Sequence, residues 1–410
     1  MILTLALLLL QKKEIFLTLV TVGFINYLII GSNHFLIINR GFLDAGGLFI
    51  IILTWVVIYL VTPLESSIKI SLLSVIFISV FSRIYVLQFY TMYELSLFPI
   101  FLIIYSKSKQ YERIQAGLYL IFYTLIFSLP LLIMLFNITS YNLISNYTNL
   151  QSLYYTLVFV AFLVKLPIFL LHSWLPKAHV EAPVYGSIIL ASVILKLGGY
   201  GMLKFLILGL TISPFFLKIL LIGNLVGAVA CCILCLYSSD LKVIIALASV
   251  SHISMMTGSV ILNYFSSKGS GLLIMLAHGF SSSFFFYWIR VGYERVKSRR
   301  IFICNGQFSY YFNYILFIVC IINFASPPFI NFIREVYIFL SLIPYSKILT
   351  TIIFFYILLR TTYSMYFFYT QKTAKKVFFR SEKTLGRENI LSFFHIWWCT
   401  WSLRLIPLIL

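Results

Sequence analysis

Glu94, Lys165, Lys196, His252, His278 and Glu335 each fall inside a long apolar run, in the stretches QFYTMYELSLFPIFLI, AFLVKLPIFLL, IILASVILKLGGYG, ALASVSHISMM, LLIMLAHGFSSSFFF and PPFINFIREVYIFL. A charge at the middle of a membrane helix costs roughly 2.5–3.5 kcal/mol on insertion scales, and residues that bear this cost face a bundle interior or a water-filled cavity and mark ion or proton pathways. Lys165 and Lys196 are the sharpest pair, one on each of two apolar helices joined by a polar loop. Other readings stand beside this one. Glu94 and Lys165 suit a buried structural ion pair, since removing either charge strands the other. Lys196 suits a snorkelling side chain, His252 and His278 suit satisfied core histidines, and Glu335 suits a local surface pair with Arg334.

The elements that must position these residues are membrane helices. The 410-residue chain is 61% hydrophobic and only 10% charged, and its mean hydropathy is +1.02. Its apolar runs have helical spanning length and lack the alternation of barrel strands. They fall at approximately 14–31, 46–63, 68–89, 91–106, 116–136, 152–171, 184–209, 212–237, 241–263, 270–290, 309–343, 346–370 and 390–410. Residues 1–10 form an apolar stub whose ten helical residues reach about 15 Å against a hydrocarbon core of about 30 Å. The sequence therefore predicts an all-α polytopic membrane protein of about 13–14 transmembrane helices, with no soluble domain.

Prolines interrupt two of the runs beside a charge: Pro167 follows Lys165, and Pro327 and Pro328 precede Glu335. Proline removes a backbone donor, and in lipid such a break survives only where protein or water answers the freed groups. Broken, charged helices in matching places point to an inverted-repeat transporter. The expected division is 1–67 for the N-terminal helices, 68–209 and 212–370 for two inverted five-helix repeats, and 371–410 for a basic loop and last helix.

Net charge is +19, and its distribution is informative. From residue 106 onward every second loop is basic: Lys107, Lys109 and Arg113, then Lys177, Lys242, the group Arg295 to Arg300, and finally Lys372 to Arg387. This is the positive-inside pattern of a multi-pass protein, so the charge is read as orientation and headgroup contact, and nucleic-acid binding is excluded. Cys231, Cys232 and Cys235 lie in an apolar helix and read as small hydrophobes. The N-terminus MILTLALLLLQKKE has neither a basic leader nor a small-residue cleavage site. Abundant Phe and Tyr beside modest Gly and Pro suggest AT-rich codons such as an organelle's.

One longer stretch, KLPIFLLHSWLPKAHVEAPVYGSIILASVILKLGGYG, with YELSLFPI before it and SDLKVIIALASVSHISMM, LAHGFSSS and PPFINFIRE after it, carries a family likeness. From about residue 85 to 370 the chain resembles the chain 4 family of mitochondrial NADH:ubiquinone oxidoreductase, respiratory complex I. LPKAHVEAP is specific to that family among the antiporter-like subunits. The resemblance implies fourteen helices with helices seven and twelve broken, the basic loops in the mitochondrial matrix, and a proton relay through Glu94, Lys165, Lys196, His252, His278 and Glu335. It implies that this chain holds no NADH, flavin, iron–sulfur cluster, quinone or metal, all redox groups of the complex lying elsewhere. Its implied partners are the other membrane-arm subunits, above all the neighbouring antiporter-like chains, and phospholipids of the inner membrane, with Gly198, Gly199 and Gly201 expected among the small-residue contact patches. The stub and Arg334 depart from the family, which usually has a small residue before the glutamate. A stand-alone cation/proton antiporter and a non-transporting scaffold are the alternative readings.

Overall fold

The computed structural model describes residues 41–61, 68–82, 86–105, 111–140, 149–207, 213–301, 310–373 and 386–402. The stub and the run at 14–31 lie outside them. The described residues form helices α1 Gly41–Val61, α2 Ile68–Phe81, α3 Val86–Leu95, α4 Leu97–Tyr105, α5 Tyr111–Ser140, α6 Asn149–Lys165, α7 Trp174–Glu181 and α8 Val184–Ile189. After a π-helical segment, Leu190–Ile194, come α9 Leu195–Ile207, α10 Pro214–Tyr237, α11 Leu241–Ile261, α12 Phe265–Val296, α13 Tyr310–Asn323, α14 Ile330–Leu342, α15 Lys347–Thr373 and α16 Gly386–Trp401. Seven helical runs among these residues are long and apolar enough to cross a membrane. A helix satisfies all but its end groups internally, which is why sequences this apolar settle into it in lipid.

Burial divides the bundle into inner and outer members. The apolar windows of Val184–Leu206, Leu241–Ile261 and Ser266–Val296 are wholly buried, and these runs carry Lys196, His252 and His278. Around them α5 and α15 bury only a third of theirs, exposing Phe122, Ile126 and Phe136, and Phe354, Phe355 and Leu358. Lys196, His252 and His278 thus sit on the helices with least access to lipid.

The LPKAHVEAP segment ties the inner bundle together. Trp174 Nε1 donates to Val164 O at 3.1 Å, Lys177 lies 4.1 Å over the Tyr119 ring, and His179 stacks on Phe286 at 4.8 Å. Lys242 Nζ donates to Val180 O and Ala182 O at 3.2 and 2.8 Å, Arg299 donates to Val180 O at 2.8 Å, and Arg113 lies 3.8 Å from Glu181. Residues from four of the basic loops therefore meet at one end of the bundle, where Lys242 and Arg299 also cap freed carbonyls.

Three expectations change. The division of 68–106 between 89 and 91 is not seen, since Gln88 to Thr91 lie within α3. Lys165 is the last residue of α6 instead of lying mid-helix, because the chain leaves the helix ahead of Pro167. Gly198, Gly199 and Gly201 are no contact patch for a partner, since all three are buried inside this chain. A Cβ at Gly198 would meet Leu166 Cγ at 2.9 Å, one at Gly199 would meet Met275 Sδ at 2.5 Å, and one at Gly201 would meet Phe162 Cε1 at 2.4 Å. These glycines let α9 approach α6 and α12. Phe162 is itself fully buried between Tyr93 and Phe205 and has no room to yield. Gly201→Ala is therefore expected to destabilise the protein by about 1–3 kcal/mol through overpacking, read as a lowered thermal midpoint in detergent; an unchanged midpoint contradicts this packing.

Candidate functional site: a buried row of charges and imidazoles

The row begins where α6 stops. Lys165 is 2% exposed and its Nζ lies 3.5 Å from Glu94 Oε1, 3.3 Å from Tyr93 O and 2.9 Å from the centre of the Tyr93 ring. The C-terminal end of a helix carries partial negative charge, so ending α6 at Lys165 places its ammonium where the backbone also favours it. Glu94, on α3, is 15% exposed. The carbonyl freed by the break is answered, since Val164 O accepts from Trp174.

Lys196 lies just after the π segment. The Leu195 amide bonds to Leu190 O, and Lys196 Nζ donates to Ala191 O, five residues back, at 2.5 Å. A π turn shifts the ladder by one residue and presents a carbonyl to a side chain, which here holds the ammonium in the bundle centre. The same Nζ lies 2.9 Å from His278 Nδ1. His278 and His252 face each other with ring centres 5.6 Å apart. Both are buried, so each ring nitrogen needs a partner from within the protein.

His252 is held by three neighbours. Its Nε2 lies 3.1 Å from Asn323 Oδ1, while Tyr356 Oη and Arg334 Nη2 approach Nδ1 at 2.8 and 3.2 Å. Asn323 Nδ2 donates to Tyr363 Oη at 3.1 Å, which fixes the amide so that its oxygen accepts from Nε2–H. Asn323 ends α13, and Ala325 follows with φ of 59°. The open carbonyls of this break are answered by Asn331 on Ile322 O at 2.5 Å and by Arg360 on Phe324 O at 2.7 Å. Glu335, the sixth residue of α14, completes the row: Arg360 pairs with it through both nitrogens, Nη2 donating to Oε2 at 2.8 Å, and Arg334 Nη2 lies 3.8 Å from Oε1.

The six sequence-selected residues thus occupy two connected groups. Glu94 and Lys165 form one. Lys196, His278, His252 and, through Arg334, Glu335 form the other. Among the described residues no side-chain contact joins the Lys165 group to the Lys196 group. Arg360, Asn323 and Tyr356 belong to the second group and were not among the six, although Arg360 shows the same signature, an ionisable side chain in an apolar run. Two small cavities adjoin the histidines. One of about 20 Å³ is lined by Ser249, His252, His278, Ser281 and Ser282, and one of about 10 Å³ by His252, Arg334, Glu335 and Tyr356. A water needs about 10–15 Å³ on this measure and two to four polar partners, and both cavities are of that order. Among the described residues no cluster of His, Cys, Asp or Glu fits a metal ion.

Asn323→Ala would leave the His252 Nε2–H unanswered and remove a partner of Tyr363 in an apolar interior. An unsatisfied buried polar group costs about 1–3 kcal/mol, so a lowered thermal midpoint is expected, and a midpoint equal to that of the natural protein contradicts the hydrogen-bond assignment.

Comparison with known proteins shows the family. Residues 85–360 match the family described as NADH:quinone oxidoreductase/Mrp antiporter, transmembrane. The NADH-ubiquinone oxidoreductase chain 4 of Aedes aegypti is 40% identical over 314 residues, which cover 73% of this chain and 70% of that one. Among solved structures, the fold is similar to a chain of respiratory complex I from Thermus thermophilus with bound NADH, at a TM-score of 0.79 and 20% identity over 89% of this chain and 84% of that one. It is also similar to a chain of the membrane-bound sulfane sulfur reductase, an archaeal respiratory membrane complex, at a TM-score of 0.83 and 16% identity over 98% and 93%. A multi-pass helical bundle with this buried row and these relatives belongs to the NADH:quinone oxidoreductase/Mrp antiporter family, in the group of NADH-ubiquinone oxidoreductase chain 4.

Proposed function

We propose that Glu94, Lys165, Lys196, His278 and His252 form one proton-transfer row, ending beside the carboxylate of Glu335, in a membrane-arm subunit of respiratory complex I. Group membership supports the assignment to the complex, and the pairing of Lys165 with Glu94 at 3.5 Å carries the mechanism. Lys165 is desolvated on all sides but that of the carboxylate and the helix end. Desolvation disfavours the ammonium, and the nearby anion favours it. The protonation state of Lys165 therefore depends on whether the pair is closed, and the two groups titrate together. When a change in a neighbouring subunit draws Glu94 away, Lys165 loses its counter-charge and releases its proton towards Lys196. The proton passes from Lys196 to His278 over 2.9 Å and on to His252, with the serine-lined cavity supplying water beside both imidazoles.

In this reading the chain lies in the inner mitochondrial membrane with the Val180–Ala182 end, where the basic residues gather, facing the matrix. Residues 68–209 and 212–370 act as two inverted halves, each carrying one break. NADH oxidation and ubiquinone reduction take place in other subunits, and this chain contributes titratable groups without a cofactor of its own. Its partners are the other membrane-arm subunits and phospholipids, which meet the exposed apolar faces of α5, α10 and α15.

Lys165→Ala, in an assembled complex that still oxidises NADH, is expected to lower the number of protons moved per electron by this subunit's whole share. Measurement in inverted inner-membrane vesicles decides it, and an unchanged ratio overturns the proposed role.

A further inference from the structure

One carboxylate at the end of the row faces two guanidinium groups. Arg360 holds both oxygens of Glu335 and the Phe324 carbonyl, and Arg334 Nη2 lies between His252 Nδ1 at 3.2 Å and Glu335 Oε1 at 3.8 Å. Arg334 and Arg360 are 2% and 0% exposed. The titratable and charged groups that face Glu335 are Arg334 on its own helix, Arg360 and Tyr356 from α15 and His252 from α11. A guanidinium keeps its protons at any working pH. A carboxylate between two of them stays ionised and is no proton carrier.

We propose that the row ends in an arginine switch: Arg360 clamps Glu335 as a fixed anion, and Arg334 moves between His252 and Glu335 as His252 gains and loses a proton. The inference rests on the proton-transfer reading and deepens it. The hydrogen bonds assign the Nε2–H tautomer to His252, its Nδ1 lone pair facing Arg334 and Tyr356. A proton arriving from His278 forms an N–H bond at Nδ1, removes that lone pair and sets a second positive charge against Arg334. Arg334 Nη2 then closes on Glu335 Oε1, the nearest anion. When Nδ1 gives its proton to water in the cavity between His252, Arg334, Glu335 and Tyr356, the lone pair returns and Arg334 returns with it. The proton leaves at His252, and what reaches the end of the chain is a displacement of positive charge.

The test measures protons moved per electron from mildly acid to mildly alkaline pH in membranes carrying the natural chain, Arg360→Gln, Arg360→Lys and Lys165→Ala. Without its clamp Glu335 becomes protonatable. The anion is then lost when Glu335 takes up a proton, so Arg360→Gln is expected to lose pumping on the acid side, while Arg360→Lys keeps the natural profile. A profile of unchanged shape in Arg360→Gln, at full or uniformly reduced height, overturns the clamp. If Arg360→Gln does not assemble, the double variant Arg360→Gln/Glu335→Gln is expected to, because a stranded buried carboxylate is what breaks the single; a double that also fails assigns Arg360 to packing alone and overturns the proposal. Lys165→Ala keeps the two readings apart: an unchanged ratio there defeats proton transfer through this chain, whereas a lowered ratio beside an unchanged Arg360→Gln profile defeats only the switch.

Discussion

A charge inside hydrocarbon has to be answered from within the protein. Every feature of the inner bundle follows from that constraint. The ion pair of Lys165 with Glu94, the contact of Lys196 with Ala191 O and His278, and the grip of Arg360 on Glu335 are three answers to it. Each uses partners from different helices, so the charges also fix how those helices meet. Replacing such groups with well-packed apolar residues is often neutral or stabilising. Their presence here therefore speaks for use more than for stability.

The breaks in the helices obey the same rule. Where α6 stops before Pro167, Trp174 answers Val164 O; where α13 stops before Pro327, Asn331 and Arg360 answer Ile322 O and Phe324 O. The π segment before Lys196 turns one more carbonyl towards an ammonium. Ser249 and Ser281 bond to carbonyls three residues back in their own helices, and this leaves oxygen lone pairs facing the cavity beside the histidines. The backbone thus supplies much of the polarity that a proton needs at mid-membrane depth.

Much of this was legible in the sequence, because the same cost that organises the bundle makes an intramembrane ionisable residue stand out from its neighbours. Glu94, Lys165, Lys196, His252, His278 and Glu335 all proved to be buried or nearly so, and the two proline breaks fall beside the charges as expected. Arg360 carried the same signal. What it holds was not legible, because its partner lies 25 residues away and the pairing depends on how α14 and α15 pack. The π segment has no proline or glycine to announce it. Gly198, Gly199 and Gly201 misled because small residues serve close packing within a chain and between chains alike, and only the positions of Phe162, Leu166 and Met275 decide between the two.

Between Lys165 and Lys196 no side chain among the described residues bridges the two groups. A density map of the assembled complex, sharp enough to show ordered water, tests proton transfer between them directly. The account predicts a file of waters linking Lys165 to Lys196 and continuing beside His278 and His252. A dry, fully packed apolar barrier between the two lysines would contradict it.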